Sequence, residues 1–201
     1  MKRRTIEAGV FALLLTAAPA LAQQSGVVRV RGTIDSIRDR VMEVKERNGA
    51  MLTVKVADNA PINAVIKASL DQIKPNAYIA VTAMPQPDGS QKAVAILIFP
   101  EALRGIAEGF RPWDLSPNST MTNGTVDTRV ESVDGQTLIL KYKGGEQKVV
   151  VPPQAEIVTL AHATLADLKP GQKVFIVAAK KLPDGTLEAP SVSFGDYGVW
   201  R

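Results

Sequence analysis

The chain has 201 residues, with 24 basic and 20 acidic side chains, one histidine and no cysteine. The missing thiols exclude disulfide staples, thiolate metal sites and a cysteine nucleophile, so packing alone must hold the fold. Aromatic residues are scarce and no basic stripe is interleaved with them, which argues against a nucleic-acid surface.

At the N-terminus, Lys2, Arg3 and Arg4 precede an apolar run from Val10 to Ala18 that leads into Ala20-Leu21-Ala22. This is the pattern of a secretory signal peptide over residues 1–22, cleaved before Gln23, and it predicts a periplasmic protein. The stretch from Gly9 to Ala22 is shorter than the roughly 20 apolar residues a spanning helix needs, and no later stretch reaches that length. The mature chain is therefore expected to carry no transmembrane segment. Loss of the leader removes Lys2, Arg3, Arg4 and Glu7 and leaves 21 basic against 19 acidic side chains. The basic excess of the whole chain thus overstates its attraction to polyanions.

From Val28 onward the hydrophobic period is two. Val28, Val30 and Ile34 alternate with Arg29, Arg31 and Thr33; Met42 and Val44 alternate with Glu43 and Lys45; Leu52, Val54 and Val56 alternate with Thr53 and Lys55. A short helical turn is predicted at Ser69 to Ile73, with Ser69 as N-cap and Pro75 as stop. Strands at Tyr78 to Met84 and Lys92 to Phe99 follow, joined by a turn at Pro87-Asp88-Gly89.

The same plan then recurs. Gly32-Thr33-Ile34-Asp35 is echoed by Gly124-Thr125-Val126-Asp127, Ser69 to Asn76 by Thr164 to Gly171, and Pro87-Asp88-Gly89-Ser90 by Pro183-Asp184-Gly185-Thr186. The offsets of 92, 95 and 96 residues keep the echoes in order, so the chain reads as two tandem copies of one module. The second copy predicts strands near Thr125 to Val133, Thr137 to Tyr142, Gln147 to Val151, Lys173 to Ala179 and Leu187 to Phe194, with a helical turn from about Thr164 to Leu168. Three strands, a short helix and two strands is the order of an OB-type barrel. The expected architecture is all-β: OB-like barrels at 27–99 and 123–195, a connector at 100–122 and an aromatic tail at 196–201.

Residues Gly124 to Asp127, the triplet Val149-Val150-Val151, Thr164 to Val174 and Pro183 to Ala189 together resemble the exported bacterial OB-like domains grouped as DUF5666, a domain of unknown function. The first copy departs from that pattern at Asn76, where a glycine would usually make the tight turn. The resemblance implies a fold and an exported location; the family has no agreed activity.

Candidate chemistry is sparse. His162 has no second histidine or cysteine to complete a zinc set, and no G-x-S-x-G surrounds a serine, so His162 is read as a surface residue. Asp35, Asp39, Asp127 and Glu131 recur near the first strand of each copy and are read as solvated charge, with a carboxylate hydrolase as the rival. Met42, Met51, Met84 and Met121 raise accessory metal handling, but they are scattered and Met42 falls on an apolar face. The face used by OB barrels offers Glu43, Lys45 and Lys55 in one copy and Lys141, Tyr142 and Lys148 in the other, which leaves an anionic glycan, a small anion or a partner protein open.

The connector carries RGIAEGFRPWD, residues 104–114. Arg104, Glu108, Arg111 and Asp114 balance in sign, and Trp113 can bury its ring while its N–H seeks an acceptor. Two readings follow: a cleft in which Arg104 and Arg111 hold an anion beside Trp113, or a latch that fixes two barrels at one angle, the reading the balanced charge favours. The sequence thus predicts a non-enzymatic binding or interaction module without a cofactor, its candidate ligand residues being Arg104, Glu108, Arg111, Trp113 and Asp114.

Overall fold

Alternation along each strand decides which side chains meet. In β1 (Val27–Arg38), Val30 and Ile34 face a core that β2 (Val41–Glu46) and β3 (Met51–Val56) continue with Met42, Val44, Val54 and Val56. The computed structural model describes residues 26–132 and 135–196, and these residues form strands, turns and single 3-10 turns. The later strands are β4 (Ile62–Lys67), β5 (Tyr78–Pro85), β6 (Gln91–Ile98), β7 (Gly109–Pro112), β8 (Thr120–Ser132), β9 (Gly135–Tyr142), β10 (Gly145–Val151), β11 (Glu156–Ala163), β12 (Lys173–Lys181), β13 (Leu187–Ala189) and β14 (Val192–Phe194). The expected leader, residues 1–22, lies outside the described residues, as does the aromatic tail beyond Asp196.

Five strands close on themselves. β1 pairs antiparallel with β2, β2 with β3, β3 runs parallel to β13, β13 turns back along β12, and β12 returns to β1. The same order is repeated by β8, β9, β10, β6 and β5, with β10 parallel to β6 and β5 returning to β8. Each ring encloses its own apolar cluster, the first around Val30, Val54, Ile176 and Val192, the second around Ile79, Ile96, Leu138 and Leu140.

The strand pairing corrects the expected domain boundaries. Neither ring comes from 27–99 or from 123–195 alone; each takes three strands from one repeat and two from the other. The cause lies after the third strand, where the chain extends instead of turning back. β4 and β11, two strands missing from the sequence expectation, pair antiparallel with each other, β4 continues to β14 and β11 to β6. Val65 stands opposite Leu160, its own counterpart under the 95-residue offset, so a pseudo-twofold axis passes between them. Val65, Ala95 and Val158 bury together at this crossing. The chain past each crossing then belongs to the opposite ring. Ile73 and Leu70 pack into the second cluster, while Leu168 and Leu165 pack into the first.

The echoed motifs acquire physical reasons. A Cβ on Gly32 would lie 2.5 Å from the Lys45 carbonyl oxygen, and one on Gly124 2.7 Å from that of Lys141, so glycine lets the first and second strands close up beside an irregularity in register. Asn76 takes φ of 66° where Gly171 has 86°, so the departure from glycine keeps the left-handed turn, which asparagine tolerates. Asp88 accepts hydrogen bonds from the backbone and hydroxyl of Ser90 at 3.0 and 2.6 Å; Asp184 does the same for Thr186 at 2.9 and 2.7 Å. The predicted helical turns are 3-10 turns at Leu70–Gln72 and Leu165–Asp167, capped by Ser69 and Thr164.

Two outcomes test this topology. Residues 27–99 expressed alone lack β12 and β13, which close the ring on β1 and β3, so size-exclusion chromatography should find them unfolded or as a dimer that exchanges strands between copies; a folded monomer would contradict the pairing. Gly32→Ala and Gly124→Ala should each lower unfolding free energy by about 1–3 kcal/mol in urea titrations, through overpacking against a carbonyl.

Candidate functional site

The connector carries a strand of its own. A 3-10 turn at Glu101–Leu103 opens it, and β7 then adds to β8 with Phe110 opposite Thr122 and Arg111 opposite Met121. The loop that follows is tied down: the Trp113 N–H donates to the Ser119 carbonyl at 2.8 Å, and the Ser119 hydroxyl donates to the carbonyls of Trp113 and Ser116. The connector is thereby an edge of the second ring.

From that edge, Trp113 and Asp114 reach the first ring. Arg29 donates to the Asp114 carboxylate at 2.6 Å, and Arg31 donates to both its oxygens at 3.0 and 2.8 Å. The Arg29 guanidinium lies 4.1 Å from the Trp113 ring centroid, with Arg31 at 5.6 Å and Arg111 at 5.7 Å. Arg31 also covers Phe175 of β12 at 4.9 Å. Three cations around one indole are tolerable because the aromatic face attracts them and one carboxylate neutralises part of the charge. The hydrogen bond from Arg31, with that from Arg29, holds Asp114 well below the usual carboxylate range, although partial burial works the other way. The indole N–H of Trp113 and the Nε atoms of Arg29 and Arg31 are buried without a hydrogen-bond partner among the described residues.

The five residues singled out in the sequence do not form one cluster. Arg111, Trp113 and Asp114 come together, with Arg111 donating to the Ala107 carbonyl at 2.8 Å and to the Asn123 side chain at 3.3 Å. Burial pulls the Arg111 guanidinium below its ordinary value, Tyr78 opposes this and Arg29 adds to it. Arg104 instead pairs with Glu101 at 2.5 Å, donates to the Asn76 carbonyl at 2.8 Å and lies over Tyr78. Glu108 accepts the backbone N–H of Lys143 at 2.9 Å. Tyr78 links the two groups by donating to the Ile106 carbonyl at 3.0 Å, and burial raises its phenol above the ordinary value.

Arg29 and Arg31 escaped the sequence reading as partners of the connector, being 85 and 83 residues from Asp114. Alternation alone places two arginines on one face of β1, so nothing local ties them to the connector. Other candidates settle into local roles. Asp127 takes Lys141 at 2.8 Å and the Thr128 hydroxyl at 3.0 Å, and the Lys141 bond pulls its carboxyl down. His162 is exposed on β11 opposite Asn63, and Met42 is buried in the first core. Glu131 has no described side chain. Among the described residues, no three histidine, aspartate or glutamate side chains converge on one point.

No protein-family model, curated protein or solved structure matches this chain.

The Asp114 geometry fixes a pH dependence. A carboxyl held down in the folded state contributes stability that is complete above its unfolded value, about 3.9, and that is lost as pH falls toward its folded one. The stability difference between wild type and Asp114→Asn in urea denaturation should be widest above about pH 5 and close as pH falls from about 4 toward 2. A difference that does not change over that range would contradict the ion-pair assignment.

Proposed function

We propose that this chain is an exported, non-enzymatic binding or interaction module, made of two OB-like barrels that act as one rigid body in the periplasm. The leader pattern of residues 1–22 supports the location. The strand order first, second, third, fifth, fourth, first in each ring supports the OB-like description. The carrying observation is the Arg29–Arg31–Asp114–Trp113 contact, which joins β1 of one ring to the edge of the other.

That contact spends the connector's charge inside the molecule. Asp114 already bridges two guanidiniums, and Arg104 is matched by Glu101, so the residues that stood out in the sequence serve best as a latch. A latch fixes the angle between the rings and leaves their outer faces to meet a ligand or partner. Since Asp114 is half exposed, each of its ion pairs is screened and contributes on the order of 0.2–1 kcal/mol; stacking on Trp113 adds a similar amount per cation.

Trp113→Ala should therefore lower unfolding free energy by about 1–3 kcal/mol, a fall of roughly 2–10 °C in thermal midpoint for a chain of this size. Thermal-shift responses to metals, anionic glycans, nucleotides and polyamines should stay as in wild type. Unchanged stability with a lost ligand response would make the connector the binding site and overturn the latch.

A further inference from the structure

The two rings repeat the same row of residues, and the difference between the rows is informative. In the second ring Thr125 of β8 stands between Lys141 of β9 and Tyr78 of β5. The connector covers that row: the Arg104 guanidinium reaches the Thr125 hydroxyl at 3.4 Å and lies 5.9 Å from the Tyr78 ring centroid, while Lys141 is paired with Asp127. In the first ring Thr33 of β1 stands between Lys45 of β2 and Lys173 of β12. There the equivalent space is a cavity of about 430 Å³, whose wall includes Arg31, Thr33, Lys45, Arg47 and Lys173 with Glu46 as its one carboxylate.

Directly opposed residues on neighbouring strands share a face, and strands lie about 4.8 Å apart. The two lysines therefore flank the threonine hydroxyl from strands about 10 Å apart, a span their flexible stems can close over one tetrahedral group. Two like charges in one row repel, and the described residues relieve them incompletely. Asp196 pairs with Lys173 and Asp114 with Arg31, while Lys45 and Arg47 have no ion pair among the described residues. Arg31 has its side chain 12% exposed and is held in place by Asp114 and Phe175, so it adds fixed positive charge to the wall. The volume falls within the range of small-ligand sites and exceeds what a bare oxyanion fills.

We propose that this cavity binds a phosphate or sulfate ester on a small carrier such as a single sugar, with Lys45 and Lys173 as its charged donors, Thr33 as its neutral one and Arg47 at its end. The inference rests on the reading of the chain as a binding module and names the class of its ligand. Where the second ring seals its row with its own connector, the first leaves the row to an external anion.

Calorimetric titration of the full-length protein with inorganic phosphate, a hexose monophosphate and a sulfated disaccharide, at matched ionic strength in chloride, tests it. Binding of any of the three that weakens about tenfold in Lys45→Gln and again in Lys173→Gln is expected, with no change in Lys148→Gln on the second ring. The hexose phosphate and sulfated arms separate the two sources of the ester. These surface substitutions should leave the thermal midpoint nearly unchanged, which circular dichroism checks. Absence of binding for all three, or equal binding by the Lys45→Gln/Lys173→Gln double variant, would overturn the site. If that happens while Trp113→Ala still destabilises the fold, the module reading survives and only the anion site falls.

Discussion

Leu187 lies beside Val54 in a parallel pairing, and Val149 lies beside Gln91 in another. Parallel neighbours cannot be joined by a hairpin, so a connection has to cross over. Between β3 and β13 that crossing runs through the second ring, because β4 carries the chain away along β11 before β5 and β6 are laid down. Ring closure therefore requires both halves of the chain at once. The apolar crossing around Val65 and Val158 is the point where that mutual dependence is built in, and it leaves neither half of the chain a complete core of its own.

The latch follows from the exchange. With β1 paired to β12 and β8 to β5, the connector that runs from β6 to β8 meets the first ring at Arg29 and Arg31. β7 holds it on β8, and Trp113 and Asp114 then meet arginines that β1 presents by simple alternation. Charge that would repel along β1 is drawn together by one carboxylate and one indole. On the second ring Arg104 covers Thr125, the counterpart of Thr33 on the first. The two rings are thus similar in strand order and opposite in surface: one is covered by a guanidinium and its carboxylate, the other keeps a row of lysines.

Much of the strand content was legible, because Val, Ile and Met alternate with charged residues wherever one face meets a core. Turn chemistry was legible for the same local reason, as Asp88 and Asp184 show. The exchange was not, since a barrel closed within 27–99 and one closed across repeats use the same inward residues; Val30 has the same environment either way. β4 and β11 were missed because Ile62 to Lys67 and Glu156 to Ala163 lie in the sheet joining the rings, where neither a strict alternation nor a long apolar run is imposed. Of the site, Arg111, Trp113 and Asp114 were visible by their crowding in sequence. Arg29 and Arg31 were not, as contact between residues more than 80 positions apart leaves no local mark, and Lys173 and Lys45 join only through the register of β12, β1 and β2.

The exchange is the central claim, and cysteine pairs test it most directly because the natural chain has none. Val27 on β1 stands opposite Lys180 on β12, whereas a barrel closed within one repeat would place Val27 near Pro85, the counterpart of Lys180. Cross-linking of Val27→Cys/Lys180→Cys and of Val27→Cys/Pro85→Cys, read by mass spectrometry on the dilute monomer, separates the two arrangements. Rapid intramolecular linkage of the first pair, with little of the second, is the result expected. Linkage of the second pair and not the first would contradict the exchange.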